Sequence, residues 1–123
     1  MKKKVLIVED YDEARGFMKF LIESYGYQVV EATDGIEAID RVRQQQPDLI
    51  LMDISLPVVD GLTATRTIRE FKFAAHIPII AITAFGKSYH EKAIEAGCDE
   101  LIDKPIDFDV LEPMLNHYLA DLI

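Results

Sequence analysis

Short runs of apolar residues alternate along the chain with longer stretches in which apolar residues recur every three or four positions. The runs that predict strands are Val5–Val8, Gln28–Ala32, Leu49–Met52, Ile79–Ile82 and Leu101–Ile102. The second of these is the weakest, with only two valines at its centre. Continuous apolar strands are typical of a parallel sheet that is covered on both faces. The pattern therefore predicts five strands in the middle of the fold.

The stretches between these runs have the periodicity of amphipathic helices. The apolar stripe of the first consists of Ala14, Phe17, Met18, Leu21, Ile22 and Tyr25. The stripe of the last consists of Leu111, Met114, Leu115, Tyr118, Leu119 and Leu122. Three more helices are expected from about Asp34 through Val42, after Asp60-Gly61, and between Ser88 and Gly97.

Residues that favour helix ends flank several of these stretches. We expect Asp12 to cap the start of the first helix and Gly26 to follow its end. The segment Ser88-Tyr89-His90-Glu91 matches a capping box, which predicts that the fourth helix begins near Ser88. Gly97 is expected to end that helix.

Alternation of strand and helix five times over predicts an α/β fold, with a parallel sheet and helices on both of its faces. The connections between parallel strands are expected to be right-handed. No linker, repeat or low-complexity segment interrupts the pattern, so residues 1–123 are expected to form a single domain.

Composition and charge narrow the class of protein. Lys and Arg number 13 and Asp and Glu number 22, which gives a formal net charge of −9 and disfavours nucleic acid and anionic membranes as partners. The single cysteine, Cys98, excludes an intrachain disulfide, favours a reducing, cytoplasmic location and is expected to be a buried filler. No stretch has the length of a membrane span. Lys2–Lys4 with the four apolar residues after them are too short for a signal peptide.

Polar residues that carry chemistry follow the predicted strands. Glu9 and Asp10 follow the first, Asp53 the third, Thr83 the fourth and Lys104 the fifth. In open α/β sheets, ligands bind at the carboxyl ends of the strands. We therefore expect three carboxylates, one hydroxyl and one ammonium to converge at one edge of the sheet.

This combination of groups predicts a phosphoryl-transfer site. Clustered carboxylates repel one another unless a cation lies between them, and carboxylates together with water and phosphate oxygens are the ligands that Mg²⁺ accepts. A hydroxyl and an ammonium nearby supply donors for the anion that is transferred. One of the carboxylates is then the candidate nucleophile.

The chain resembles the receiver domain of two-component response regulators over its whole length. The matching segments are Lys4–Asp10, Pro47–Pro57, Asp60-Gly61, Pro78–Ala84, Gly97–Asp99 and Lys104-Pro105. The resemblance implies a flavodoxin-like, doubly wound sheet of five parallel strands in the order 2-1-3-4-5, with five helices. Around Ala75–Pro78 and Thr83–Phe85 the chain is similar to single-domain cell-division regulators.

The resemblance also implies a role for each residue at the strand ends. Asp53 would be the phosphoacceptor, and Thr83 and Lys104 would bind the phosphoryl oxygens. The residues that would hold Mg²⁺ are Asp10 and Asp53 through their side chains, Ser55 through its backbone carbonyl, and Glu9 through water. The peptide bond between Lys104 and Pro105 is expected to be cis by analogy.

The partners that the resemblance implies are proteins. The phosphoryl donor would be a phosphohistidine of a sensor histidine kinase or phosphotransfer protein. The output would pass to a downstream protein through the face formed by the fourth helix, fifth strand and fifth helix. Family members commonly have Tyr or Phe where this chain has Leu101, so we expect a different switching movement. Phe85, two residues beyond Thr83, is expected to shield the phosphoryl group from water.

The histidines and one pair of neighbouring charged residues are expected at the surface. The three histidines, His76, His90 and His117, lack metal-ligand spacing and are expected at the surface. Asp103 and Lys104 are expected to form an exposed charge pair that contributes little to stability.

Three alternatives remain open at this point. The chain could be a receiver cut from a longer regulator or hybrid kinase. A phosphatase of the haloacid-dehalogenase type also uses a strand-end Asp with Mg²⁺, but it needs a second Asp at the position of Ser55. A flavin-binding flavodoxin-like protein needs a phosphate loop where this chain has the acidic residues Glu9 and Asp10. We expect a phosphoacceptor and not a turnover enzyme.

Overall fold

Strands and helices alternate along the chain as the apolar pattern predicts. The computed structural model describes residues 2–56 and 59–120. The strands are β1 (Lys4–Val8), β2 (Gln28–Ala32), β3 (Leu49–Asp53), β4 (Ile79–Thr83) and β5 (Glu100–Asp103). The helices are α1 (Asp12–Ser24), α2 (Gly35–Gln45), α3 (Gly61–Arg69), α4 (His90–Ala96) and α5 (Phe108–Leu119). Two short 3₁₀ helices cover Lys72–Ala74 and Gly86–Tyr89.

Parts of two expectations lie outside the described residues. They are Pro57 in the third-strand motif and Leu122 in the last apolar stripe. Among the described residues, no helix combines the length and apolar character needed to cross a membrane.

The five strands form one parallel sheet in the order β2-β1-β3-β4-β5. This order and the α/β class confirm the predicted fold. Val8 pairs with Met52, and Asp53 pairs with Ile82, so the carboxyl ends of β1, β3 and β4 lie side by side. The residues that follow those ends are therefore brought to the same edge.

The core consists of two apolar layers, one on each face of the sheet. Alternate residues of each strand point to opposite faces, so Leu6 and Val8 belong to one layer and Val5 and Ile7 to the other. The first layer packs against α2, α3 and α4, and the second against α1 and α5. Burial of each large side chain contributes about 1.5–3 kcal/mol. Two buried faces explain why the strands are continuous apolar runs.

The start of α1 differs from the prediction. Tyr11 occupies the capping position and its side chain makes no capping bond, while Asp12 is the first helical residue. The Asp12 carboxylate accepts a hydrogen bond of 2.7 Å from Arg15 Nη2. An acidic residue in the first turn still interacts favourably with the helix dipole. At the other end Gly26, with φ of 99°, follows the helix as expected.

The second helix begins where the sequence predicts and ends later. Asp34 caps it by accepting the N–H of Glu37 at 2.8 Å. The helix continues three residues beyond Val42 to Gln45, and Gln46 ends it with φ of 44°. Arg and Gln are good helix formers, so the helix extends past its last apolar residue.

The predicted capping box at Ser88 is wrong. Ser88 lies within the 3₁₀ helix, and its Oγ donates to the carbonyl of Phe85 at 2.8 Å. Because the hydroxyl points back along the chain, α4 begins two residues later, at His90. Gly97 ends α4 as predicted, with φ of 116°, and an added Cβ there would lie 2.7 Å from Arg69 Cγ.

Candidate functional site

Three carboxylates meet at the carboxyl edge of the sheet. Ligand oxygens of Glu9, Asp10 and Asp53 all lie within 4.8 Å of one another. Glu9 and Asp53 are nearly inaccessible, with 5% and 2% of their surface exposed, whereas Asp10 is exposed. The placement at strand ends thus brings together the acidic residues that the sequence singles out.

The backbone around β1 holds Glu9 in place. Its N–H donates to the carbonyl of Ala32 at 3.1 Å, which extends the pairing with β2 by one residue. Its Oε2 accepts the N–H of Tyr11 at 3.1 Å, and its carbonyl accepts from Arg15 Nη1 at 3.0 Å. The Tyr11 N–H is a hydrogen-bond donor of the site that the sequence does not indicate, because any residue other than proline would supply it.

Asp53 has a donor on each carboxylate oxygen. Oδ1 accepts the N–H of Ser55 at 2.9 Å, and Oδ2 accepts from Lys104 Nζ at 3.0 Å. The same Nζ lies 3.6 Å from Glu9 Oε1. One ammonium therefore bridges two carboxylates that would otherwise repel each other.

The backbone at the end of β5 positions Lys104 at the site. Its N–H donates to the carbonyl of Thr83 at 2.8 Å, and its peptide bond to Pro105 is cis, as expected by analogy. The predicted charge pair between Asp103 and Lys104 is wrong. Successive residues at a strand end point in opposite directions, so Asp103 faces His90, with 3.5 Å between Oδ1 and Nε2.

Burial and charge combine to shift two pKa values. Burial raises the pKa of Glu9 to about 7, and the Asp53 charge adds to that effect, while the Tyr11 N–H and Lys104 oppose it. Burial lowers the pKa of Lys104, but the hydrogen bond and charge interaction with Asp53, with help from Glu9, outweigh burial and leave it raised. Lys104 is thus a cation in a pocket whose negative charge it only partly balances.

The donor set fits Mg²⁺. Carboxylate oxygens are hard ligands, and a few of them with water suffice for an octahedral ion. Three carboxylates face one ammonium, so a divalent cation would offset charge that remains after Lys104 is counted. Ser55 lines the same cavity as the carboxylates, so its backbone lies near these three acidic groups.

The cavity beside the carboxylates has an apolar wall. It has a volume of about 430 Å³. Its apolar lining consists of Ala14, Phe17, Met18, Pro105, Ile106 and Phe108. The Phe17 ring is 51% exposed and meets Phe108 edge to face, with 5.3 Å between centroids. The helical stripe of α1 contains Phe17, but periodicity does not reveal that this ring turns towards the site and not into the core.

Thr83 lies at the same edge and is fully buried. Its Oγ1 accepts the N–H of Phe85 at 2.9 Å. Among the described residues no hydrogen bond joins it to the three carboxylates. The Phe85 ring, 46% exposed, packs against Tyr89 at a centroid distance of 4.6 Å. Both rings line a neighbouring groove of about 660 Å³ between α3 and α4, which also includes Ser55.

Other residues singled out by the sequence lie away from the cluster. Cys98 is 5% exposed beside Thr65 Oγ1, and burial raises the pKa of its thiol, as expected for a filler. His76 and His117 are exposed. Leu101 is half-buried and packs on the core layer beneath α4.

Comparison with known proteins places these features in one family. A family model for the response regulator receiver domain matches residues 5–116. The chain is 41% identical to the polar-differentiation response regulator DivK of Brucella ovis over 122 residues, which are 98% of this chain and 99% of that protein.

Two crystal structures are also similar. One is the receiver domain of the sensor histidine kinase PA1611 from Pseudomonas aeruginosa PAO1, with a magnesium ion coordinated in its active-site cleft. It is 34% identical, with a TM-score of 0.90, and the match covers 98% of this chain and 100% of that one. The other is a putative response regulator from Chloroflexus aurantiacus, 29% identical with a TM-score of 0.92 over the same shares of the two chains.

Proposed function

Because the chain belongs to the response regulator receiver family, we propose that it is a phosphorylation switch whose phosphoacceptor is Asp53. The observation that carries the proposal is the position of Asp53 Oδ2, 3.0 Å from Lys104 Nζ, within a group of carboxylates whose ligand atoms lie within 4.8 Å. A carboxylate that has a cation beside it and a cavity in front of it is suited to attack phosphorus.

Four residues would hold Mg²⁺ in this proposal. They are Asp10 and Asp53 through their carboxylates, Ser55 through its backbone carbonyl, and Glu9 through water. When bound, the ion offsets charge on the carboxylates and on the phosphoryl oxygens. The magnesium ion in the similar PA1611 receiver supports this assignment.

The phosphoryl group is transferred from a phosphohistidine of a partner kinase or phosphotransfer protein. One oxygen of Asp53 forms a bond to phosphorus as the bond from phosphorus to the imidazole nitrogen breaks. The electron pair of that bond stays on the imidazole, which takes a proton from solvent. The exposed ring of Phe17 and the apolar wall of the cavity supply a surface for the donor protein next to the acceptor.

Lys104 and Thr83 bind the phosphoryl oxygens once the group is on Asp53. Lys104 Nζ already contacts Oδ2, so it is close to any group attached to that carboxylate. The Thr83 oxygen accepts the N–H of Phe85, which leaves its own proton free to donate. Donors that are placed in advance cost little reorganisation during the transfer.

The output of the switch is a change in affinity for another protein. The face formed by α4, β5 and α5 offers a shallow groove whose lining includes Leu101 and Ile94, the latter 52% exposed. The similar DivK proteins are named as polar-differentiation response regulators, and regulation of that kind would proceed through such contacts. A net charge of −9 opposes an output through nucleic acid.

We propose further that residues 1–123 are one receiver domain that acts in the cytoplasm and is not a turnover enzyme. The family model covers residues 5–116, and both apolar layers of the described residues pack against the same five-stranded sheet. A haloacid-dehalogenase-type phosphatase would need a carboxylic acid two residues beyond Asp53. Ser55 at that position supplies no such acid.

The test is incubation of the protein with acetyl phosphate and Mg²⁺, read by intact mass. The wild type should gain one phosphoryl group and release acetate, while Asp53→Asn should gain none. Asp103→Asn is the matched control, because Asp103 is also an acidic residue at a strand end but faces His90. Phosphorylation of Asp53→Asn, or loss of phosphorylation in Asp103→Asn, would contradict the assignment.

A further inference from the structure

The guanidinium of Arg15, near the start of α1, donates hydrogen bonds to three separate parts of the chain. Its Nη1 donates to the backbone carbonyl of Glu9 at 3.0 Å. Its Nε donates to Glu31 Oε1 on β2 at 3.2 Å, and its Nη2 donates to Asp12 Oδ1 at 2.7 Å. Only 15% of the side chain is exposed. Because the guanidinium is planar and rigid, three acceptors together fix its orientation, and with it the position of the Glu9 carbonyl.

The Glu9 carbonyl lies where the chain leaves β1 and turns towards α1. The last residue pair between β1 and β2 is Val8 with Ala32, and the Glu9 N–H adds one bond to the Ala32 carbonyl. A peptide group is planar, so the direction of the Glu9 carbonyl sets the position of the Asp10 N–H and Cα. Arg15 therefore acts, through this peptide group, on a carboxylate of the acidic cluster.

The charges around Arg15 balance one another. Arg15 pairs with the carboxylates of Asp12 and Glu31, and Lys19 Nζ lies 3.6 Å from the second oxygen of Glu31. A cation near a metal site opposes the binding of a divalent ion, so loss of the Arg15 charge alone would strengthen such binding. Loss of its hold on the Glu9 carbonyl would weaken it. The electrostatic effect and the geometric effect of Arg15 thus have opposite signs.

We infer that Arg15 is a positioning residue for the metal site, which holds the turn at residues 9–11 so that the Asp10 carboxylate lies beside Asp53 before the ion arrives. The inference rests on the part of the proposed function that makes Asp10 a ligand of Mg²⁺. A ligand whose backbone is already fixed loses less conformational freedom when the ion binds. Groups that orient metal ligands in this way typically change metal affinity by about 10-fold to 100-fold.

The test is a titration of ¹⁵N-labelled protein with Mg²⁺, in which the dissociation constant is taken from the amide shifts. Arg15→Met removes the guanidinium and keeps an apolar stem, and it should raise the dissociation constant by roughly tenfold or more. Arg15→Lys keeps the charge, but a compact ammonium does not span three separate acceptors, so this variant should also bind Mg²⁺ more weakly. Urea unfolding in EDTA gives the stability of each variant separately from its affinity for the ion.

Two matched variants separate this role from a general effect of charge or stability. Lys19→Met removes the other cation beside Glu31, whose ion pair in the described structure is with that carboxylate and not with the turn. It should bind Mg²⁺ as tightly as wild type or slightly more tightly. Arg41→Lys changes an arginine whose Nε donates to the Glu31 carbonyl at 3.2 Å, so any loss of stability there should leave the affinity for Mg²⁺ unchanged.

Unchanged or tighter binding of Mg²⁺ by Arg15→Met, or an equal loss in Lys19→Met, would overturn the inference. If Arg15→Met is unfolded in EDTA, the comparison of Arg15→Lys with Arg41→Lys decides by the same criterion. A wild type that binds no Mg²⁺ would remove both the inference and the metal assignment. Weaker binding by the Arg15 variants, together with no phosphoryl gain by wild type from acetyl phosphate, would confirm the inference and contradict the phosphoacceptor proposal.

Discussion

The buried carboxyl of Glu9 leads to a prediction about stability and pH in the absence of divalent cations. In the folded protein its pKa is about 7, against 4.5 when exposed. Between these two values the folded state holds a proton that the unfolded state has lost. The contribution of Glu9 to the free energy of unfolding therefore falls as pH rises from 4.5 to 7. At about 1.4 kcal/mol per pKa unit the total loss is about 3 kcal/mol.

The comparison of wild type with Glu9→Gln isolates this effect. The amide oxygen of Gln can still accept the Tyr11 N–H, but the side chain carries no charge at any pH. Urea unfolding in EDTA at several pH values from 4.5 to 8 should show a stability advantage of Glu9→Gln that starts small and grows to about 3 kcal/mol. Addition of Mg²⁺ should reduce that advantage, because the cation favours the ionised carboxylate.

A control with the opposite sign is available in Glu37. The N–H and hydroxyl of Thr33 hold the pKa of this carboxyl below its usual value. Its contribution to stability is present above pH 4.5 and is lost as pH falls through the lowered pKa. Glu37→Gln should therefore lose stability relative to wild type at neutral pH. If the difference between Glu9→Gln and wild type does not change from pH 4.5 to 8, burial of an ionisable Glu9 beside Asp53 is the wrong description of this site.

Four further predictions concern the site and its support. Asp53→Asn in EDTA should melt no lower than wild type because it relieves carboxylate repulsion, and its melting temperature should no longer rise with Mg²⁺. Lys104→Met should lower the free energy of unfolding by about 2 kcal/mol in EDTA, measured in urea, since two buried carboxylates lose their ammonium; Mg²⁺ should recover part of that loss. Gly97→Ala should destabilise by about 1–2 kcal/mol, because φ is 116° and the new Cβ would press on Arg69. Phe85→Ala should hydrolyse its phosphoryl group faster than wild type when followed by mass, and an unchanged rate would remove the shielding role.

Leu101 bears on how a phosphoryl group would alter the output face. An aliphatic side chain that packs on the core layer beneath α4 has no hydroxyl to expose or hide. Thr83 is instead joined through the Phe85 N–H to the segment that leads through the 3₁₀ helix Gly86–Tyr89 into α4, and the Phe85 ring packs on Tyr89. The prediction that the switching movement differs from that of relatives with an aromatic residue at this position remains to be measured.

The sequence determined the order of strands and helices along the chain and the residue types at the edge of the sheet where the candidate site lies. Apolar runs and helical stripes reflect burial, which acts on every residue of a strand or helix face, so the pattern survives in the fold. Because parallel strands end at a common edge, Glu9, Asp10 and Asp53 could be predicted to meet. The strand order came from family resemblance, since alternation alone does not say which strands are neighbours.

Only the tertiary structure decided which groups pair with one another. Lys104 bonds Asp53 and not its neighbour Asp103, and Ser88 bonds the chain behind it and not the helix ahead. These choices depend on the direction of each side chain after the layers have packed, and no local pattern encodes that direction. The same holds for the flat stack of Phe71 and Phe73 under Arg43, which joins α2 to the segment after α3, distant in the sequence. Burial can be predicted from the residue type at each position, whereas the pairing of side chains depends on how the helices and the sheet pack together.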